Sequence, residues 1–271
     1  MNWQSVTDAR DPRLAPFRDL RGRDTGSKQA AAVADGLPVV REVLRARERG
    51  ARLRALLCEE GMETEMEAEL GAAGDAALLR APRALLSEVV GYRFHRGCLA
   101  CFDPPPLCEL DDLGDRVLVL EKVEKGENAG TVLRSAAAFG VRSILIDPEG
   151  VGPWDRRVLR ASRGLVLRCR VHVPDRFEAA VKELQNRGYA LAITTVNSDR
   201  ATPLWNTEWP RQLALCLGNE AFGISERLDA RADLRLHIPM EPDTHSLNVA
   251  TAAGIALSWL WARSPTPPER R

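Results

Sequence analysis

Lysine is scarce in this 271-residue chain: only Lys28, Lys122, Lys125 and Lys182 occur, so 34 of the 38 basic side chains are arginines. Net charge is absent as well, because 38 acidic side chains balance them. A zero total lacks the basic footprint that phosphate-binding proteins usually carry. It leaves room for local clusters, and arginine is the better phosphate fork because its planar donors engage two oxygens at once. No apolar run approaches the roughly 18 residues of a membrane span. The start, Met1-Asn2-Trp3-Gln4-Ser5, lacks the basic-then-apolar pattern of a secretory leader. A cytoplasmic chain without a membrane partner is the expectation.

Other chemistries are missing too. The six cysteines are spread along the chain without secretory context, which argues against a disulfide framework. Cys98, Cys101 and Cys108, with His95 nearby, raise the question of zinc. The segment around Cys98 reads as a strand, however, which sends residues three apart to opposite faces. No second ligand pair follows at finger or ribbon spacing, so no metal is expected. There is no G-x-G-x-x-G after a strand, no G-x-x-x-x-G-K-[ST], no G-x-S-x-G and no H-E-x-x-H. His95, His172, His237 and His245 are the only histidines, which gives a histidine-driven hydrolase little support.

What is present is a globular composition, 45% hydrophobic and 28% charged, which excludes disordered and collagen-like classes. The length suits one large domain or two small ones. Residues 1–28 are polar and Arg/Asp-rich and read as an irregular arm, with a short helix within it as the alternative. Residues 29–102 read as a small α/β unit, with helices at Val39–Ala46, Glu63–Gly71 and Leu85–Val90 and strands at Leu53–Cys58 and Tyr92–Phe102. The acidic row from Glu59 to Glu69 reads as a solvated helix face. Residues 103–112 contain Pro104, Pro105 and Pro106 among acidic residues and read as a linker.

Residues 113–262 form the more regular domain, and 263–271 a frayed tail. Val117–Val123 is a continuous apolar strand of the kind a parallel sheet buries on both faces. Strands are further expected at Ser143–Ile146, Leu165–Val173, Ala190–Val196, Leu213–Leu217 and Leu234–Ile238. Helices are expected at Ala129–Phe139, Trp154–Ala161, Phe177–Arg187, Ile224–Ala230 and Leu247–Trp261. This alternation predicts a parallel α/β sheet covered by helices on both faces.

Three loops stand out in that domain, each after a strand and before a helix. In a parallel sheet such loops gather at the carboxyl ends of the strands, where ligands bind. The first holds Asn128, placed as a helix N-cap, and Arg134 on a largely apolar helix. The second is Gly218-Asn219-Glu220-Ala221-Phe222-Gly223, where two glycines bracket an acid and let backbone approach a ligand. The third runs from Ile238-Pro239-Met240 into Ser246-Leu247-Asn248-Val249-Ala250, with Ser246 the simple N-cap candidate. His245 reads as a solvated loop histidine.

In this order and spacing, N-x-G-x-x-x-R, G-N-E-x-x-G and I-P-M…S-L-N-V-A, the chain resembles the SpoU/TrmH family of SPOUT RNA methyltransferases. The first part is similar, more weakly, to that family's L30e-like substrate-binding domain, through Ala34–Glu42 and His95–Ala100. The resemblance implies an α/β fold with a C-terminal trefoil knot, a homodimer, and S-adenosylmethionine as cofactor. It also implies methylation of an RNA ribose 2′-hydroxyl, with rRNA favoured over tRNA because of the added N-terminal domain. The implied catalytic cluster is Asn128, Arg134, Glu220, Ser246 and Asn248. The implied cofactor contacts are Thr194 and Thr195, then Leu217, Gly218, Asn219 and Gly223, then Ile238, Met240, Ser246 and Leu247.

The residues fit that chemistry. A ribose hydroxyl attacking a methyl on a sulfonium gathers negative charge on oxygen, which the site must stabilise or remove with both partners held in line. A guanidinium is effectively always protonated, so Arg134 reads as a clamp on the developing alkoxide and adjacent phosphate. Transient deprotonation of Arg134, aided by Ser246 and Asn248, stands as the alternative. Between residues 156 and 176, seven arginines face one acid, Asp175. At helical spacing Arg156, Arg160 and Arg163 share a face and read as an RNA-phosphate stripe, with a solvated surface as the competing reading. Charge supports the division, with 16 basic and 19 acidic residues in 1–112 against 22 and 19 in 113–271. Two rivals remain: a catalytically inert SPOUT-like RNA-binding protein, and an unrelated small-molecule α/β enzyme, disfavoured because the loops hold no nucleophile–base pair.

Overall fold

The structure, a computed structural model, describes residues 1–20, 31–71, 75–95, 97–241 and 245–263. The chain divides into two units, Met1–Pro106 with Gly152–Arg168, and Leu107–Val151 with Cys169–Arg271. The first unit begins with β1 (Gln4–Ser5), β2 (Ala32–Asp35), α1 (Leu37–Arg45) and β3 (Arg52–Glu59). It continues through α2 (Glu63–Leu70), β4 (Ala77–Ala81), α3 (Arg83–Val90) and β5 (Cys98–Asp103). The sheet order is β1-β4-β3-β5-β2, parallel from β1 to β3 and antiparallel where β5 meets β3 and β2.

The three helices expected here form, but β2 and β4 were not legible. Both are short and alanine-containing, with little intrinsic strand preference; pairing with β5 and β3 makes them strands. Residues 1–20 are no loose arm. β1 pairs with β4, and a 3-10 helix at Pro12–Phe17 sends Leu14 and Phe17 into the core, followed by Leu20. Their three-residue spacing matches the 3-10 repeat, in which residues i and i+3 lie on one side. It was hidden by the surrounding arginines and aspartates. Residues 21–28 of the expected arm lie outside the described residues, as do 264–271 of the expected tail.

The second unit opens with β6 (Arg116–Leu120), α4 (Gly126–Ala138) and β7 (Ser143–Ile146). The chain then leaves for the first unit through α5 (Arg156–Ala161) and returns at β8 (Arg170–His172). It proceeds through α6 (Phe177–Asn186), β9 (Ala190–Thr194), β10 (Thr202–Pro203) and β11 (Leu213–Leu217). It ends with α7 (Glu226–Arg231), β12 (Leu234–His237) and α8 (Val249–Ala262). The sheet order is β10-β12-β9-β11-β6-β7-β8, and every pairing is parallel. Val117 and Val119 of β6 pack on one side with Phe177, Val181 and Leu184 of α6 and Leu228 of α7. Leu118 and Leu120 alternate to the other face and are equally buried. The expected α/β class, a parallel sheet flanked by helices, is what forms.

Starting from β6, the strands run to β7 and β8 on one side and to β11, β9 and β12 on the other. Such a reversal opens a crevice outside the carboxyl ends of the strands. No helix among the described residues is long and apolar enough to cross a membrane.

The segment Gly152–Arg168 corrects the expected domain assignment, which placed all of 113–262 in one domain. Arg156 pairs with Asp35 at 3.3 Å and donates to the Leu20 carbonyl at 2.7 Å. Arg168 grips Glu42 through two nitrogens, at 2.6 and 2.5 Å. Leu165–Arg168, expected as extended, is a 3-10 turn, and only Arg170–His172 is strand.

Candidate active site

In the second unit, the chain turns sharply after β6 and β11, and the two turns are bound together. Beyond β11 the loop folds back on itself, with Asn219 N–H donating to the Gly223 carbonyl at 3.0 Å and Gly223 N–H donating back at 2.9 Å. A Cβ at Gly218 would lie 2.2 Å from the Gly223 carbonyl carbon, and Gly223 has φ +70°, so both positions demand glycine. The Asn219 Oδ1 accepts from Ala221 and Phe222 N–H, and its Nδ2 donates to the Lys122 carbonyl at 2.8 Å. Lys122 itself takes φ +48° at the turn that ends the β6 run short of the expected Val123.

A chain of polar groups then links three loops. The Asn248 amide donates to Asn128 Oδ1 at 3.1 Å, and the Asn128 amide donates to Glu220 Oε1 at 2.9 Å. Glu220 also accepts backbone N–H bonds from Lys125 at 3.2 Å and Glu124 at 3.3 Å. Burial pushes the Glu220 carboxyl up, but the Asn128 amide and the backbone N–H groups outweigh it and hold the group below the usual carboxylate range. Glu220 therefore carries its charge as the anchor of the chain.

Two capping expectations change here. Asn128 lies inside the first turn of α4, whose N-cap is Lys125, so its amide serves Glu220 rather than its own helix. Asn248, not Ser246, caps α8, accepting from Ala250 N–H at 2.8 Å.

These loops enclose a cavity of about 630 Å³ at the carboxyl ends of β6, β9, β11 and β12. That volume lies within the range of small-molecule and cofactor sites. Of the residues named from sequence, Asn128, Glu220, Ser246 and Asn248 line it, together with Thr194, Thr195, Gly218, Asn219, Gly223, Ile238, Met240 and Leu247. Leu217 does not; it is fully buried as the last residue of β11. Arg134 does not either. Six residues along a helix is a rise of about 9 Å and a rotation well away from the Asn128 face. Its side chain is exposed on α4.

Lining residues missed from sequence include Val196, Asn197 and Arg200 after β9, and an Asp229–Arg235 pair at 3.0 Å. For Asn197 and Arg200 the available signal was their position beyond the expected strand Ala190–Val196; Val196, Asp229 and Arg235 lie inside expected elements and gave none. The one cysteine beside these loops, Cys216, is fully buried and its thiol is pushed well above the ordinary value by burial, which leaves it inert as a nucleophile. Among the described residues no group of histidine, cysteine and carboxylate side chains is arranged to hold a metal ion.

The arginine stripe is corrected in part. Arg156 is 8% exposed, with its cation also 5.6 Å from the Tyr92 ring centroid, so it is a core residue of the first unit and cannot meet a phosphate. Arg157 binds Asp155, and Arg168 binds Glu42. The acids that oppose these arginines come chiefly from positions 35 and 42, which a count along 156–176 does not reach. Arg160 is half-buried and Arg163 exposed at φ +53°.

Comparison with known proteins gives one continuous match that runs through Gly152–Arg168. Residues 115–258 match the SpoU rRNA Methylase family. An uncharacterized tRNA/rRNA methyltransferase of Mycobacterium tuberculosis is 31% identical over 265 residues, covering 94% of this chain and 91% of the relative. A solved RNA 2′-O ribose methyltransferase superposes with a TM-score of 0.78 at 26% identity, over 96% of this chain and 99% of that one. An AdoMet-bound rRNA methyltransferase from Sinorhizobium meliloti has the same fold, with a TM-score of 0.78 at 21% identity over 95% and 97% of the two chains. The protein belongs to the SpoU rRNA methylase family.

Proposed function

We propose that this chain transfers the methyl group of S-adenosylmethionine to a ribose 2′-hydroxyl of ribosomal RNA, working as a homodimer with a knotted C-terminal region. The observation that carries the reading is the hydrogen-bonded Asn248–Asn128–Glu220 chain on the wall of a cavity sized for a cofactor. The cofactor's sulfonium supplies an electrophilic methyl. Thr194, Gly218, Ile238, Met240 and Leu247 are the residues that would hold it. Their mixture of apolar side chains and strand-end backbone suits a ligand with an adenine, a ribose and a charged tail. Asn128 and Asn248 orient the loops that receive the ribose, and Ser246 stands beside them on the same wall.

Arg134 is the cation for the developing alkoxide and the neighbouring phosphate. Since it lies off the cavity of its own chain, a second subunit supplies the route. Support for a dimer comes from α8, which has no charged side chain between Val249 and Ala262 and still leaves Trp261 37% exposed. Ile255 and Trp259 are also only partly buried, and such apolar surface beside the exposed Thr251 and Ser258 suits a further partner on the open side. The first unit is the RNA-recognition part, with Arg160 and Arg163 as its candidate phosphate contacts.

Tritium-methyl transfer to separated rRNA and tRNA fractions, followed by mapping of the modified ribose, tests the reading. A 2′-O-methyl product in rRNA is expected; label confined to protein or to a base overturns it. Mixing Arg134→Ala with Asn248→Ala chains tests the shared site, with recovery of activity expected in the mixed dimer.

A further inference from the structure

The two most exposed large apolar side chains among the described residues are Phe222, at 89%, and Val196, at 64%. Exposed apolar residues scattered singly need no explanation. These two line the same cavity, from the loops after β11 and β9.

The position of Phe222 is built. Its N–H donates to Asn219 Oδ1 at 3.2 Å, the paired backbone bonds between Asn219 and Gly223 close the turn, and the turn lies flush on the strand end at Gly218. Two residues before it, Glu220 is tied to Asn128. The ring and the polar chain of the site thus share one rigid turn.

We propose that Phe222 is the stacking platform for the nucleobase of the nucleotide being methylated; this rests on the reading that the substrate is an RNA ribose. A nucleotide whose 2′-hydroxyl reaches into the cavity gives up stacking on its neighbours. A fixed aromatic ring at the rim replaces one of them. The charged lining is balanced, with Lys125, Arg200 and Arg235 against Glu220, Glu226 and Asp229. Net charge at the rim therefore provides no grip, and stacking does. A phenyl ring has no hydrogen-bonding group, so it holds a base without reading its identity. The ring of a bound cofactor is enclosed on most of its surface, whereas Phe222 stands almost entirely in solvent.

The test uses the full chain with Phe222→Ala, Phe222→Leu and Phe222→Trp, unmodified 16S and 23S rRNA transcripts, and labelled S-adenosylmethionine. The transcript methylated by the wild-type chain is expected to lose about tenfold or more in kcat/KM with the alanine and leucine variants and to be retained with the tryptophan variant. The cofactor Kd should stay unchanged, and the indole fluorescence of Phe222→Trp should be quenched by that transcript. A fully active Phe222→Leu variant overturns stacking, as does a cofactor Kd that moves with the rate or a dimer that dissociates. Failure of the wild-type chain to methylate any RNA overturns the functional reading, and this proposal with it.

Discussion

Each unit joins polar residues from distant parts of the chain, but to opposite ends. In the first unit full charges meet on buried carboxylates: the buried Arg156 on Asp35 and the half-buried Arg168 on Glu42 hold the 152–168 segment against the rest of the unit. In the second unit two neutral amides and one carboxylate run along a cavity wall. Buried opposite charges lock a segment in place, because separating them leaves a charge without solvent. Amides give direction without a strong field, which leaves the wall open to a ligand. A density of arginine is therefore no guide to an RNA interface until the acids that meet it in space are known.

The contrast is broken most severely by Arg156→Ala. It takes the cation from the buried Asp35 carboxylate, which keeps the Tyr92 hydroxyl as a donor, and should cost about 3–5 kcal/mol of stability, read by urea denaturation. S-adenosylmethionine affinity of the folded variant should be untouched. An unchanged urea midpoint would remove Arg156 from the core pairing described here. Gly218→Ala reverses the pattern. The added methyl meets Gly223 backbone rather than a flexible side chain, and overpacking of about 1–3 kcal/mol falls on the cavity turn. Calorimetry should show cofactor affinity down by tenfold or more.

Asn128→Ala leaves Glu220 and the Asn248 amide each short of a partner, at about 1–3 kcal/mol. The loss should appear in methyl-transfer kcat/KM more than in the melting temperature. Asn128→Asp should be worse at neutral pH, because it sets a second carboxylate against Glu220. The smallest effect is in pH. The folded-state Glu220 carboxyl lies below its ordinary 4.5, so its contribution is fully present above that value and is lost as pH falls through the folded value. Cofactor affinity should stay level from neutrality down to the ordinary carboxylate value of 4.5 and decline only below it, and Glu220→Gln should flatten the decline.

Much of the second unit could be read from residues alone. Leu213–Leu217 and Ser143–Ile146 fall on β11 and β7 without a residue's error, because strands buried on both faces must be apolar throughout. The loops that follow β6, β11 and β12 were legible for the same reason: once the strands are placed in parallel, their carboxyl ends converge. The first unit was harder. β2 and β4 are strands only because β5 and β3 lie beside them, and the Leu14, Phe17, Leu20 spacing is too short a signal to separate from its polar surroundings.

What the sequence determined by itself is the parallel α/β class and the three site loops, since these follow from local periodicity and spacing, while the candidate residues within them came from the family resemblance. What only the tertiary structure decided is which polar groups meet. It sent Arg156 and Arg168 to Asp35 and Glu42, and it left Arg134 exposed on α4, away from its own cavity. Asn248, Asn128 and Glu220, by contrast, joined across 120 and 92 positions of chain. Charge and hydrogen bonding act through space at a few ångströms, and the order of residues along a chain carries no record of that distance.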